Sequence, residues 1–292
     1  MKSTIVKALC SISLLTLVVL GVGNLSLLAH SRQKKALPES MRIELSREIR
    51  ELFVTSALEV HLHQGDEPYM EVRASDPETL DLFAYTHQDK RLKLSRKKKS
   101  SRLRSREIQV HLYLPNLERL SLAGASMMQS DLPIEAERFE LEVSGASRLN
   151  DLIGNARQFV ARISGASIVK GSMRGERADI NISGASRSTL WLGAKHSLSL
   201  GMSGASRCAL SGEVEMLDLE VSGASQFGVN TDMKLSARRA SISGSGASRI
   251  SVEVTEEVLS IDLSGATRLY LKGSAQRMGK ISIRGACRLS NE

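Results

Sequence analysis

Arg148, Arg187, Arg207, Arg249, Arg268 and Arg288 each stand three residues after the glycine of a recurring Ser-Gly-Ala-Ser type of tetrapeptide. A guanidinium repeated at fixed spacing suits one chemistry above others, the holding of a repeating anion. Stacked like charges repel unless acids or a ligand lie between them. Outward acids such as Glu142, Asp179 and Glu220 are one source of counter-charge, and an anionic glycan is the other. A second basic set is contiguous: Arg96, Lys97, Lys98, Lys99, Arg102 and Arg104 crowd one stretch, residues 89–107. It lies between two strand-like runs and so reads as a long hairpin loop. Such a loop is either solvated and partly neutralised by the acidic segment before it, or a clamp for lipopolysaccharide phosphate, acidic polysaccharide or nucleic acid. No aromatic residue interleaves these charges, which counts against nucleic acid as a partner.

Signs of catalysis are few. His61 and His63 share one face of a strand, but no third metal ligand accompanies them, so no metal and no cofactor is expected. No HExxH, GxSxG, P-loop or dinucleotide fingerprint occurs. Asp151, Asp179, Asp218 and Asp262 are scattered, whereas a polysaccharide lyase or hydrolase needs its acids and bases clustered in a cleft. The expectation is no enzyme, with a polysaccharide-cleaving activity as the weakest alternative.

The elements that must position the arginines follow from the repeat itself. Its glycines are Gly124, Gly145, Gly165, Gly184, Gly204, Gly223, Gly246, Gly265 and Gly285, spaced by 19 to 23 residues. A period of this length marks a solenoid in which each copy is one rung. Two and four residues before the glycine, and four after it, the positions are apolar in nearly every copy. Apolar residues at alternate positions mean β-strand with one face buried. No segment keeps a 3.6-residue pattern. The fold expected is an all-β parallel β-helix of about nine rungs of some twenty residues. Residues 118–292 would form the solenoid, and 38–117 a β-rich region capping its first rung. The glycine suits a tight corner, and the second serine of the motif would point inward to hydrogen-bond from rung to rung. The longer spacing before Gly246 suggests a bulge at Gly244–Gly246. Cys208 and Cys287 sit four rungs apart, about 19 Å at the rung spacing, too far for a disulfide, and both read as buried small residues.

Composition sets the compartment and excludes other classes. Hydrophobic residues make up 41% and charged residues 25%, which is globular rather than disordered. Aromatics at 3% argue against a sugar-stacking platform. The net charge of +8 is unevenly spread: +5 in residues 1–37, −7 in 38–88, +8 in 89–117 and +2 in 118–292. Met1–Leu9 carries two lysines, and a largely apolar stretch runs from Ile5 to Ala29. That is either a cleaved secretory signal or an uncleaved membrane anchor. Both export the remainder, to the periplasm, outer membrane or cell surface, or tethered to the inner membrane if uncleaved. The membrane is met only through this segment.

The run Leu58-Glu59-Val60-His61-Leu62, the turn Gln64-Gly65-Asp66, then Ile108-Gln109-Val110-His111-Leu112-Tyr113-Leu114-Pro115-Asn116-Leu117 and the serial SGAS-type repeats occur in that order. In this combination, over about residues 45–290, the chain resembles the auto-transporter adhesin head GIN domain family of bacterial envelope proteins. The resemblance implies an exported β-helical protein with no defined ligand, and the basic segment between 90 and 106 is longer here. The function expected is therefore a non-enzymatic envelope module making multivalent contacts with an anionic glycan, lipopolysaccharide or an envelope protein. The alternative is a structural scaffold that self-associates edge to edge, because little sequence remains to cover the last rung near Ile281–Leu289.

Overall fold

Alternating apolar and polar residues dictate extended chain, and strands account for 67% of the computed structural model. It describes residues 39–97 and 107–291, all within one unit, Ala36–Glu292. The signal or anchor expected in 1–37 and the side chains Lys98, Lys99, Arg102 and Arg104 lie outside the described residues.

The chain winds through about nine turns of β-solenoid. Strands β8 (Arg119–Leu122), β9 (Met127–Ser130), β10 (Pro133–Val143), β11 (Arg148–Ile163), β12 (Ile168–Ile182), β13 (Arg187–Met202) and β14 (Arg207–Val221) form the first coils. They continue through β15 (Gln226–Phe227), β16 (Leu235–Gly244), β17 (Arg249–Leu263), β18 (Arg268–Lys272), β19 (Arg277–Ile283) and β20 (Arg288–Asn291). Each strand pairs in parallel with its counterpart one rung on, as in Leu141↔Ala161↔Ile180↔Leu200↔Leu219. Leu120, Leu141, Ala161, Ile180, Leu200, Leu219, Ile242 and Ile261 are all at least 98% buried. Burying one Leu or Ile in this way contributes roughly 1.5–3 kcal/mol, and each residue does so against a like neighbour above and below.

The N-terminal strands enter this stack out of sequence order. Strands β2 (Glu51–Val54) and β3 (Glu59–Gln64) pair in parallel with β8 and β9 on one side. On the other side they pair in parallel with β6 (Arg91–Arg96) and β7 (Ile108–Leu114). Antiparallel strands then close that end: β4 (Tyr69–Ala74) on β7, β1 (Glu39–Glu44) on β4, and β5 (Phe83–Gln88) on β6. A single helical turn, α1 (Pro77–Leu80), links β4 to β5, with Asp76 as N-cap accepting from the Thr79 amide.

Two sequence expectations are corrected. The basic stretch 89–107 is not a hairpin loop. Its residues 91–96 are strand β6, and β6 and β7 pair with β2 and β3 rather than with each other. Residues 98–106 lie outside the described residues. The bulge expected at Gly244–Gly246 is also absent, since Val221↔Gly244 stays in register. The surplus lies between Phe227 and Leu235, eight positions apart where their partners Cys208 and Gly212 are four apart.

The corner explains the tetrapeptide. Gly204 has φ +76°, and a Cβ there would fall 2.6 Å from the carbonyl oxygen of Gly184, one rung earlier. That oxygen is already used: it accepts from the Ala205 amide at 2.8 Å, and equivalent bonds run from Ala146 to Ala286. The second serine is buried from Ser126 to Ser248, with Thr267 in its place near the end. In about half the copies its hydroxyl bonds within its own corner, as Ser147 Oγ does to the Ser144 carbonyl at 2.8 Å. Rung-to-rung bonds occur as well, between Ser206 and Ser225 at 3.1 Å and between Ser248 and Thr267 at 3.2 Å. Gly204→Ala is expected to lower stability to denaturant by at least about 1–3 kcal/mol through forced left-handed backbone and the lost ladder bond. Ser203→Ala, an exposed neighbour in the same corner, should change it by less than about 0.5 kcal/mol.

Candidate functional site

The arginine column stands at the start of the strand that leaves each glycine corner. Its register is Arg148↔Ile168↔Arg187↔Arg207↔Gln226↔Arg249↔Arg268↔Arg288. All six arginines are exposed. None makes a side-chain hydrogen bond or ion pair with another described residue. The counter-charge expected from Glu142, Asp179 and Glu220 is thus corrected. Those acids lie on the strand entering the corner, and the arginines on the strand leaving it. Glu142 pairs instead with Arg119 at 3.7 Å, and Asp179 accepts from Asn181 at 2.9 Å. Arginines elsewhere do find acids: Arg157 bridges Glu137 and Glu176, Arg238 meets Glu256, and Arg284 meets Asp262.

The arginine line continues into the N-terminal strands. In register, Gln109 of β7 and Glu59 of β3 precede Met127 and then Arg148. Gln109 thus stands three rungs before Arg148, or about 14 Å. Of the basic candidates, Arg96 and Lys97 are described, at the end of β6, and Lys97 is exposed.

At the same end the structure assembles a cluster that sequence spacing gave only in part. His61 and His63 of β3 are joined by His111 from β7, with His61 and His111 stacked at 4.8 Å. The stack runs on through His63 and Tyr113 at 4.7 Å and Tyr113 and Tyr69 at 4.4 Å, and the Arg42 guanidinium covers Tyr69 at 3.9 Å. His63 Nε2 and His111 Nδ1 lie 3.3 Å apart, and His63 Nδ1 lies 2.8 Å from Asp131. Among the described residues, no group of three His, Cys, Asp or Glu side chains is placed to hold a metal ion.

A third feature escaped the sequence altogether. The single tryptophan, Trp191, is 39% exposed and lies in a groove of about 1110 Å³ that crosses strands β10 to β17. Its indole rests over Gly193, with the Arg174 guanidinium 5.2 Å from the ring centroid. A low aromatic count says nothing of where one aromatic stands. The available signal was Trp191-x-Gly193, which puts an indole and a bare backbone on the same strand face.

Cys208 and Cys287 are both free. Cys208 is fully enclosed, and burial pushes its thiol up to about 12, so it is unreactive as a thiolate. Cys287, expected to be buried, is partly exposed, with no described rung stacked beyond it. Burial, then the neighbouring charges of His61, Arg73 and His63, hold His111 below the ordinary histidine range, with Glu71 opposing. Below about pH 6.5 the unfolded chain takes up a proton that folded His111 refuses, so stability falls as pH drops through that window. Denaturant midpoints measured across pH 5 to 7.5 should show this loss, and His111→Gln should reduce it.

Among curated proteins, none matches the sequence. Solved structures do. A "putative adhesin" from Parabacteroides distasonis superposes with TM-score 0.64 at 14% identity, and one from Parabacteroides merdae with 0.63 at 12%. A "putative lipid binding protein" from Parabacteroides distasonis gives 0.60 at 17%. Each alignment covers 88% of this chain and 97% of the other, and at such identities it is the fold that is shared. The family model described as "Putative auto-transporter adhesin, head GIN domain" matches residues 49–190 and 169–275. With its SGAS corners, its β-solenoid and most of its length inside that match, the chain belongs to this adhesin head family.

Proposed function

We propose that the protein is an exported, non-enzymatic adhesin-like module of the bacterial envelope whose glycine-corner edge holds an anionic glycan or lipopolysaccharide. The observation that carries this reading is the unpaired arginine column, six exposed guanidinium groups without acid partners among the described residues, on a molecule whose other outer arginines are largely paired. Each exposed contact with an anion is weak. Groups repeated on a rigid ladder every one or two rungs engage a polymer together, and affinity then grows by effective concentration. The basic residues between β6 and β7, Lys97, Lys98, Lys99, Arg102 and Arg104, would add positive charge to the contact. The lipid-binding description of one neighbour fits a phosphorylated lipid such as lipopolysaccharide as ligand. The periplasm, outer membrane or cell surface would be the site of action. No helix among the described residues is long and apolar enough to cross a membrane.

A second reading, self-association through the last rung, rests on Ile281 and Ile283. Both are 45% exposed, although their partners Ile261 and Leu263 are at most 1% exposed. Another copy of the chain pairing with β19 would bury them. A molar mass by light scattering that stays monomeric at all concentrations would end this version.

Binding of the full chain to lipopolysaccharide and to a polyuronate across a salt series tests the first. Affinity should fall steeply with salt. Changing Arg187, Arg207, Arg249 and Arg268 to Gln should weaken binding and flatten the salt slope by about one unit per lost contact. If only a variant with Lys97, Lys98, Lys99, Arg102 and Arg104 changed to Ser loses binding, this basic segment is the adhesive element and the column is not. Absence of binding at any salt removes the anionic-polymer function.

A further inference from the structure

We propose that the groove around Trp191 is a binding site for a neutral saccharide chain, separate in chemistry from the arginine edge. Trp191 belongs to the outward residues of β13, which alternate Arg187, Thr189, Trp191, Gly193. It stands four residues beyond Arg187, about 13 Å along the strand. Its partners in register are Ser172 and Ser211, too short to cover an indole from the adjoining rungs. Ile153, 52% exposed, is in register with Ser172 and lies two rungs from the indole. Small residues thus leave one large ring displayed where a solenoid face normally carries polar side chains.

The ring is also held in place. A Cβ at Gly193 would come 2.9 Å from the indole Cη2 atom, so the ring lies across that glycine's backbone. Gly193 needs no left-handed backbone, and its lack of a side chain is explained here by the indole. Arg174, in register with Gly193, fixes the ring from the neighbouring rung by a cation–π contact. A flat, preorganised aromatic presents a negative face, and the C–H face of a pyranose is its complement.

Charge and length select the ligand class. Four acidic and four basic side chains line the groove, so its walls are balanced in sign. A polyanion would meet four carboxylates there, whereas a neutral polyol finds donors and acceptors interleaved. Glu213 and Lys195 are exposed in the lining and make no side-chain bond to another described residue. They stand ready to accept from and donate to hydroxyl groups. Running from β10 to β17, the groove spans six rung spacings, about 29 Å, which fits an oligosaccharide rather than a single sugar.

Because Trp191 is the chain's one tryptophan, its fluorescence reports this site alone. The full chain would be titrated with neutral hexasaccharides, β-1,4-linked glucose and β-1,4-linked N-acetylglucosamine, by fluorescence and by calorimetry, at low and high salt. At least one should change the emission and bind with an affinity independent of salt. Trp191→Ala should weaken calorimetric binding by about ten-fold or more. Gly193→Ala, which keeps the indole but pushes it off its seat, should weaken it too, with unchanged circular dichroism and unfolding midpoint in both variants. The inference is overturned if neither sugar changes emission or gives heat, if Trp191→Ala binds as wild type does, or if affinity collapses with salt. The anionic-polymer reading is scored on salt-dependent binding of other ligands, so either can fail without the other.

Discussion

The amide of each corner alanine donating to the carbonyl of the glycine one rung earlier is the interaction on which the rest depends. It places successive corners directly over one another at 2.7–2.8 Å. The oxygen is reachable only because the residue above it has no Cβ and accepts a left-handed backbone. Once corners are superposed, strands between them must pair in parallel and in register. Every residue type fixed in the repeat then becomes a column. Apolar columns make the core, the second serine makes a buried hydroxyl column, and the residue after it makes the exposed arginine line.

A ladder of this kind separates stability from function by direction. Inward positions are confined to like-on-like packing, and an error there recurs at every contact above and below. Outward positions are free to vary, which is why one outer line carries unpaired cations, another carries arginine–glutamate pairs such as Arg138 with Glu140, and a third leaves a groove around one tryptophan. Surface pairs contribute little to stability individually. Their value here is that they neutralise outer arginines such as Arg138, Arg157, Arg238 and Arg284, whereas the column arginines keep their free charge.

Much of the fold was legible because it repeats. Nine glycines at near-constant spacing, with apolar residues at −4, −2 and +4, specify the rung, the buried face and the burial of the second serine. The N-terminal strands were less legible because their pairing is non-local. Nothing in the order of residues says that 51–64 lies between 91–114 and 119–130, and the basic segment looked like a hairpin because strand–loop–strand has the same local pattern in either case. His111 joined His61 and His63 across fifty residues for the same reason.

The sequence by itself determined the β-solenoid, the positions of its corners, the outward placement of six arginines and the impossibility of a Cys208–Cys287 bridge. Those properties are local or periodic, and chain chemistry alone sets them. Tertiary structure decided which charges meet. It put the acids and arginines of one repeat on opposite sides of a corner, so that nearness in sequence gave no ion pair. It left Trp191 uncovered because its neighbours in register, nineteen and twenty residues away, happen to be serines. Contacts between rungs depend on register, and register exists only once the rungs are stacked.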